Sequence, residues 1–246
     1  RAEQYPDMFR SIRGDRRAYA LSLIEAYNDF CIRVARRSDR IRAVGVAIAP
    51  TVGELQAQVT RLVTGGVRAV WLPSASLPGG YSPAHPDLDP MWSLLAEADV
   101  PVLAHVGADL DFLKTAAWRD APAFQGWKAG EEFQMDPWTL STLHLPVQNF
   151  LATMVLGGVF ERHPRLRFGA CEVLGQWVGP LAQNLDFWHA NSRKFSLDNT
   201  EGALPITMQP SDYIRRNVRV SLFDIEPVDV YIDQFSMPEI YCYSSD

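Results

Sequence analysis

The sequence predicts an α/β protein with a parallel sheet, and it favours an incomplete (β/α)8 barrel. Short apolar segments alternate with longer amphipathic ones, which is the pattern of βα units on a parallel sheet. The 246 residues, 47% of them hydrophobic and 21% charged, suffice for one barrel domain. The motifs GxGxxG and GxxxxGK(S/T) follow none of the apolar segments, which disfavours the alternative, an open nucleotide-binding sheet.

Six short segments rich in apolar residues are predicted as strands. In chain order they are Ile41–Ala49, Val67–Leu72, Val100–Val106, Leu166–Cys171, Val218–Leu222 and Ile240–Tyr243. Pro101 and Pro238 lie at strand entrances, where a missing N–H is tolerated.

The segments between the strands carry apolar residues at three- and four-residue spacing, which predicts helices. The helical candidates are Ala18–Arg37, Val52–Thr64, Pro90–Ala98, Pro146–Arg162, Val173–Ser192 and Pro227–Gln234. Thr51 and Glu54 have the spacing of a capping box at the start of the second helix, and Gly65 with Gly66 ends it. We expect residues 1–246 to form a single domain.

The segment Ala108–His144 is a long insertion after the third strand and is rich in Trp, Phe and Asp. Long βα loops of barrels lie at the carboxyl rim, where active sites are built. We therefore expect this insertion to lie over the substrate. The alternative is an insertion that serves packing or contacts between subunits.

Charge and cysteine usage exclude several classes of protein. With 23 basic and 29 acidic residues the net charge is −6, and the basic residues are scattered, so no nucleic-acid interface is predicted. The three cysteines show no CxxC spacing, which argues against a disulfide framework and a cysteine zinc site. The chain carries neither an apolar run of about 18 residues nor a signal peptide, so we expect a cytoplasmic protein without membrane contact.

Three ionisable side chains stand at the ends of predicted strands. His105 ends VPVLAHV, Glu172 follows LRFGAC directly, and Asp246 ends IYCYSSD. Because the carboxyl ends of barrel strands meet at one rim, we expect these groups to lie near one another. Imidazole and carboxylate groups bind divalent metals and activate water. The alternative is that each is an ordinary strand-end residue.

Two further residues are candidates for the substrate pocket. His144 precedes a long helix and Trp177 follows Glu172 by about one turn. Trp177 either lines the pocket or simply packs. A serine or cysteine nucleophile is disfavoured because no GxSxG motif is present and Cys171 lies inside an apolar strand.

Several longer segments, in a fixed order, carry a family resemblance. They are AYNDFC with DRIRAVGVAIAP, GGVRAVWLP, HPDLDPMWSLLAEADVPVLAHVG, LGGVFERHPRLRFGACEVLGQWVGPLAQNLD, PSDYIRRNVRVS and the terminal IYCYSSD. With these segments the chain resembles the amidohydrolase-related family that includes aminocarboxymuconate semialdehyde decarboxylase and the dihydroxybenzoate-type decarboxylases.

The resemblance implies a (β/α)8 TIM barrel of the metal-dependent hydrolase type. In that family a motif on strand 1, a His after strand 5 and an Asp after strand 8 hold the metal. Carried over, His105 matches the strand-5 ligand and Asp246 the strand-8 ligand. The six predicted strands are then strands 3 to 8, and strands 1 and 2 are missing from these residues, together with the strand-1 HxH or ExH pair. Glu172 stands where the decarboxylases have a His that assists proton steps, and a Glu there can act as acid or base.

These expectations combine into a metal-dependent hydrolase that acts on a small organic substrate through a metal-activated water. Zinc is the expected metal and manganese the alternative. His105 and Asp246 would hold it, Asp246 and Glu172 would move protons, and His144 and Trp177 would contact the substrate. A nonoxidative decarboxylase of the same family and a non-catalytic barrel or binding protein are the competing interpretations. The Trp and Phe residues of the insertion favour a homo-oligomer.

Overall fold

The computed structural model of the chain describes residues 15–75, 77–106, 113, 115–127, 136–195 and 204–244. The described strands are β1 (Val44–Val46), β2 (Ala69–Trp71), β3 (Val102–His105), β4 (Phe168–Cys171), β5 (Val218–Ser221) and β6 (Tyr241–Cys242). They form one parallel six-stranded sheet whose order follows the chain, from β1 to β6. A doubly wound sheet reverses its strand order at a switch point, whereas a (β/α)8 barrel does not. All six predicted strands are therefore confirmed, with tighter bounds, and so is the barrel arrangement.

Helices connect the strands. They are α1 (Arg16–Arg37), α2 (Val52–Thr64), α3 (Asp89–Glu97), α4 (Pro137–Thr142), α5 (Leu145–Leu156), α6 (Val159–Arg162), α7 (Val178–Phe195), α8 (Pro210–Asn217) and α9 (Val228–Phe235). Short 3-10 turns cover Pro78–Gly80, Pro86–Leu88, Ala116–Asp120, Pro122–Phe124 and Pro238–Ile240. The predicted bounds of α2 are correct, and the Thr51 side chain accepts a hydrogen bond from the Glu54 N–H, as a cap should. Across the described part of the chain, every helix is too short or too polar to span a bilayer.

Two predicted helices differ from the observed ones by more than two residues. The predicted helix Pro146–Arg162 is two helices, α5 and α6, because the chain turns at Gly157 and Gly158, where Gly158 has a φ of 72°. The predicted helix Val173–Ser192 begins only at Val178. The residues before it form a turn in which Glu172 and Leu174 have φ angles of 56° and 60°, which a right-handed helix does not allow.

The two faces of the sheet differ in burial. One face packs against the helices through side chains that are at most 2% exposed: Val70, Val102, Ala104, Phe168, Ala170, Val218 and Val220. On this side Phe150 of α5 stacks on Phe168, with ring centroids 5.9 Å apart, and burial of a Val or Phe side chain contributes about 1.5–3 kcal/mol. Strand residues alternate between faces. His105 and Cys171 therefore lie on the opposite face, at the carboxyl ends of β3 and β4.

Helix α1 contacts β1 through side chains that bind its backbone. The Asn28 side chain, fully buried, donates from Nδ2 to the Val46 carbonyl at 2.8 Å and accepts from the Val46 N–H at 2.9 Å. The Cys31 thiol lies 3.5 Å from the Val44 carbonyl oxygen. Side chains of α1 thus satisfy backbone groups of β1 that its pairing with β2 leaves free.

Of the predicted insertion Ala108–His144, the structure describes residues 113, 115–127 and 136–144. They contain two of the 3-10 turns and helix α4. The other residues of the insertion lie outside the described ones, so the placement of the insertion over a substrate stays a prediction. The single-domain organisation of residues 1–246 also stays a prediction.

Candidate active site

A cavity opens at the carboxyl ends of β3 to β6. Its volume is about 490 Å³. Residues that end or follow four successive strands line it, among them His105, Glu172, Ser221 and Tyr243. The register places His105 beside Cys171, so the strand ends bring together side chains that are far apart in sequence. This is the position of active sites in (β/α)8 barrels.

His105 and Glu172 contact each other in this cavity. The distance between His105 Nε2 and Glu172 Oε2 is 2.9 Å, and the two side chains are 45% and 23% exposed. His105 Nδ1 lies 2.9 Å from the Val106 carbonyl oxygen. A carbonyl only accepts, so Nδ1 carries a proton there, and this contact fixes the ring orientation. Such a second contact is typical of histidines that present Nε2 to a metal ion.

A strained turn places Glu172 beside His105. Glu172 and Leu174 both adopt left-handed backbone conformations, which cost about 1–2 kcal/mol each for residues with a Cβ. The Glu172 N–H donates to Ser221 Oγ at 3.2 Å, which ties the turn to the end of β5. Strain of this kind persists at functional sites only where surrounding contacts impose it.

Further hydrogen bonds hold the same turn. Trp177 Nε1 donates to the carbonyl oxygens of Val173 at 3.1 Å and Leu174 at 2.8 Å. The Gly175 N–H donates to Glu226 Oε2 at 2.7 Å. The turn between β4 and α7 is therefore fixed by contacts from its own tryptophan and from the loop after β5.

Trp177 and His144 form a second pair. Their rings stack, with centroids 6.2 Å apart and an interplanar angle of 19°, and Trp177 is only 4% exposed. Burial lowers the pKa of His144, which favours the neutral ring, and its Nδ1 is buried without a hydrogen-bond partner among the described residues. The pair lies beside the strained turn, outside the residues that line the cavity. Its predicted contact with substrate stays a prediction.

The cysteine at the site is poorly suited to nucleophilic attack. Burial raises the pKa of the Cys171 thiol, and its hydrogen bond with Ser221 lowers that pKa by less. Near neutral pH the thiol is therefore protonated, and the thiolate is the reactive form. This agrees with the expectation of a chemistry without a cysteine nucleophile.

The remaining predicted ligand, Asp246, lies outside the described residues. The last described residue, Ser244, is part of the cavity wall, and Asp246 follows it by two positions. Within the described ranges no group of three or more His, Cys, Asp or Glu side chains is arranged to hold a metal ion. His105 Nε2 and Glu172 Oε2 lie 2.9 Å apart, and a nitrogen and an oxygen placed in this way fit part of a metal site. The full set of metal ligands stays a prediction.

The sequence interpretation missed several residues of the site, among them Ser221, Phe223 and Glu226. Ser221 and Phe223 line the cavity, and Glu226 binds two backbone N–H groups around it. Ser221 had a readable signal, since it is the last residue of a strand at the same edge as His105. Nothing in the sequence indicated Glu226, because the loop that carries it has no regular spacing of apolar residues.

Comparisons with known proteins agree with this geometry. Residues 12–191 match the family model described as Amidohydrolase. No curated protein matches the chain in a sequence search.

The solved structures that share the fold include the following three. An amidohydrolase from Mycobacterium avium subsp. paratuberculosis K-10 has 20% identity and a TM-score of 0.68, over 89% of this chain and 52% of that chain. The 5-carboxyvanillate decarboxylase from Sphingomonas paucimobilis has 18% identity and a TM-score of 0.65, over 92% and 62%. A 5-carboxyvanillate decarboxylase from Novosphingobium aromaticivorans with bound manganese has 21% identity and a TM-score of 0.65, over 92% and 60%.

This chain thus spans between 52% and 62% of the length of these structures. The family match covers well over half of the chain, and the parallel sheet follows the barrel order. The chain therefore belongs to the amidohydrolase family and carries six strands of its (β/α)8 barrel.

Proposed function

We propose that the whole protein is a metal-dependent decarboxylase that releases CO2 from a small organic acid without an oxidant. The observation that carries this proposal is the contact between His105 Nε2 and Glu172 Oε2 in the cavity at the barrel rim. The similar decarboxylases, one of them with manganese bound, favour it over the hydrolase expected from the sequence. Hydrolysis is the second candidate.

Glu172 would be the proton donor. In nonoxidative decarboxylation the C–C bond to the carboxylate breaks, CO2 leaves, and a proton takes its place on the carbon. A carboxylic acid beside the reacting carbon can supply that proton and recover it from water. In hydrolysis the same carboxylate would instead accept a proton from the attacking water, so the products distinguish the two candidates.

His105 and Asp246 would hold the metal ion, with further ligands from strand 1, which these residues do not include. Bound there, a divalent ion would supply positive charge to an anionic oxygen of the substrate. The sequence predicts zinc, whereas a similar decarboxylase binds manganese, so both metals belong in the test.

Other parts of the proposal concern the surroundings of the site. His144 and Trp177 would contact the substrate, and the insertion Ala108–His144 would determine which substrate is accepted. A cytoplasmic location and a homo-oligomer remain proposals that rest on cysteine usage and on exposed aromatic residues such as Trp118 and Trp127.

The test uses full-length protein loaded with manganese or zinc, assayed for CO2 release from a panel of hydroxybenzoates and for hydrolysis of esters and lactones. We expect His105→Ala to lower metal content and activity. Glu172→Gln should keep the metal and lose about 10²–10⁴-fold in turnover, the range of general acid catalysis. His189→Ala and Glu97→Gln, on helices away from the rim, are the matched controls. Hydrolysis without CO2 release would favour the second candidate, and absence of turnover in metal-loaded protein would favour a non-catalytic barrel.

A further inference from the structure

One carboxylate joins the two loops that border the cavity. Glu226 Oε2 accepts from the Gly175 N–H at 2.7 Å, in the turn after β4. Glu226 Oε1 accepts from the Phe223 N–H at 2.9 Å, in the loop after β5. Hydrogen bonds to an ionised acceptor are shorter and stronger than neutral ones. Glu226 therefore holds both loops through two N–H groups, one 51 residues and the other 3 residues away from it in sequence.

The loops also pack closely where Glu226 joins them. A Cβ at Gly175 would come within 2.4 Å of Leu222 Cδ2 and 3.2 Å of the Tyr241 ring. The Glu226 N–H in turn donates to the Phe223 carbonyl at 3.2 Å, which closes a tight turn in the second loop. A side chain at position 175 would therefore force the end of the Leu222 side chain to move.

Helix α9 and β6 border the carboxylate on its other side. Tyr231 and Tyr241 face each other with ring centroids 6.0 Å apart. Burial raises the pKa of Tyr231, and Glu226 raises it further through its charge and a hydrogen bond. Burial, Tyr231 and Glu226 together raise the pKa of Tyr241 to about 12. Both phenols therefore stay protonated at neutral pH.

We propose that Glu226 is a positioning residue that holds Glu172 against His105. The Gly175 N–H that it binds lies three residues beyond Glu172, inside the turn with two left-handed residues. Without this acceptor the turn loses one of the contacts that impose its strain, and Glu172 moves away from His105. The role in catalysis rests on the proposed function, whereas the effect on the turn does not.

The first measurement is amide hydrogen exchange in the metal-loaded full-length protein. We expect Glu226→Ala to remove protection at Gly175 and Phe223, and also at Glu172, whose N–H Glu226 does not touch. Glu226→Gln should keep part of this protection because one acceptor oxygen remains. Asp233→Asn, an exposed carboxylate change on α9, is the matched control, and amides of β5 report whether the fold is intact. Unchanged protection at Gly175, or lost protection there with Glu172 still protected, would overturn the proposal.

The second measurement is turnover of the substrate found for the wild type. We expect Glu226→Ala to lower kcat by about 10–100-fold, the usual effect of losing a residue that orients a group in a metal site, with KM and metal content within about threefold. The double variant Glu226→Ala with Glu172→Gln should be no slower than Glu172→Gln alone, because residues that act as a unit are not additive. Additive losses would overturn the positioning role. If the wild type turns over no acid or ester, the proposed function fails, and the exchange experiment still decides whether Glu226 holds the turn.

Discussion

Replacing Tyr213 with Phe removes one hydroxyl from the centre of the helical layer. Tyr213 is fully buried, and its oxygen accepts from the N–H groups of Thr207 at 3.0 Å and Met208 at 3.1 Å. The same hydroxyl donates to Glu161, which also accepts from Thr207 Oγ1 at 2.9 Å. The phenol thus links α8, α6 and the segment before α8.

The magnitude follows from these contacts. Each buried group left without a partner costs about 1–3 kcal/mol, but Thr207 is exposed, so water can reach part of this network. We expect Tyr213→Phe to lower the free energy of unfolding by about 2–4 kcal/mol. Urea denaturation with linear extrapolation measures it. Tyr19→Phe, at a residue 43% exposed, is the control and should change stability by less than about 0.5 kcal/mol.

The pH dependence gives an independent check. The hydrogen bonds from Tyr213 and then Thr207 lower the pKa of Glu161 in the folded state. A carboxyl with a depressed folded pKa contributes stability above its unfolded pKa, about 4.3, and that contribution is lost as the pH falls through the folded value. The gap in stability between wild type and Tyr213→Phe should therefore narrow below about pH 4. A loss of less than about 1 kcal/mol at pH 7 would refute the reasoning, since it is below the cost of even one unpaired buried group.

Three further predictions concern stability and reactivity. Asn28→Ala leaves the backbone N–H and carbonyl of Val46 without their partner. We expect the free energy of unfolding, measured by urea denaturation, to fall by about 2–3 kcal/mol. A loss below about 0.5 kcal/mol would contradict the role of these two hydrogen bonds. Asp89→Asn breaks a bidentate ion pair with Arg162, at 2.8 and 2.9 Å, whose side chains are 30% and 35% exposed. We expect a loss of about 1 kcal/mol or less because solvent screens the pair. Burial raises the pKa of Asp89, but Arg162 and His163 lower it by more, so thermal melts should show the loss above about pH 4 and not below. A thiol reagent should modify Cys242 faster than the other two cysteines, because Cys242 is exposed whereas Cys31 is buried and Cys171 is partly buried. Mass spectrometry measures the rate at each cysteine, and equally fast modification of Cys31 or Cys171 would contradict the prediction.

The strands could be predicted because each is a short apolar run between turn residues. The helices between them could be predicted because they carry apolar residues at three- and four-residue spacing. The break at Gly157 and Gly158 was readable in principle, since glycine ends helices. The turn after β4 was not. Glu and Leu rarely adopt a positive φ, so nothing in the residue types at 172 and 174 predicts a left-handed conformation there.

The site was predictable where it depends on strand ends and not where it depends on loops. His105 and Glu172 could be identified because parallel strands bring their carboxyl ends together, and the structure places them in contact. Glu226 and Gly175 are 51 residues apart, and their contact depends on how two irregular loops pack. No local pattern encodes such a contact.

The order of the sheet has a consequence for how the chain reaches its fold. Each strand pairs with the one that precedes it in the chain, and the contact between Asn28 and Val46 spans only 18 residues. Folding is faster when contacts are local in sequence, and domains form from the N-terminal side during synthesis. Among the six described strands, each is therefore synthesised directly after the strand with which it pairs, so every strand from β2 onward can add to a neighbour that already exists.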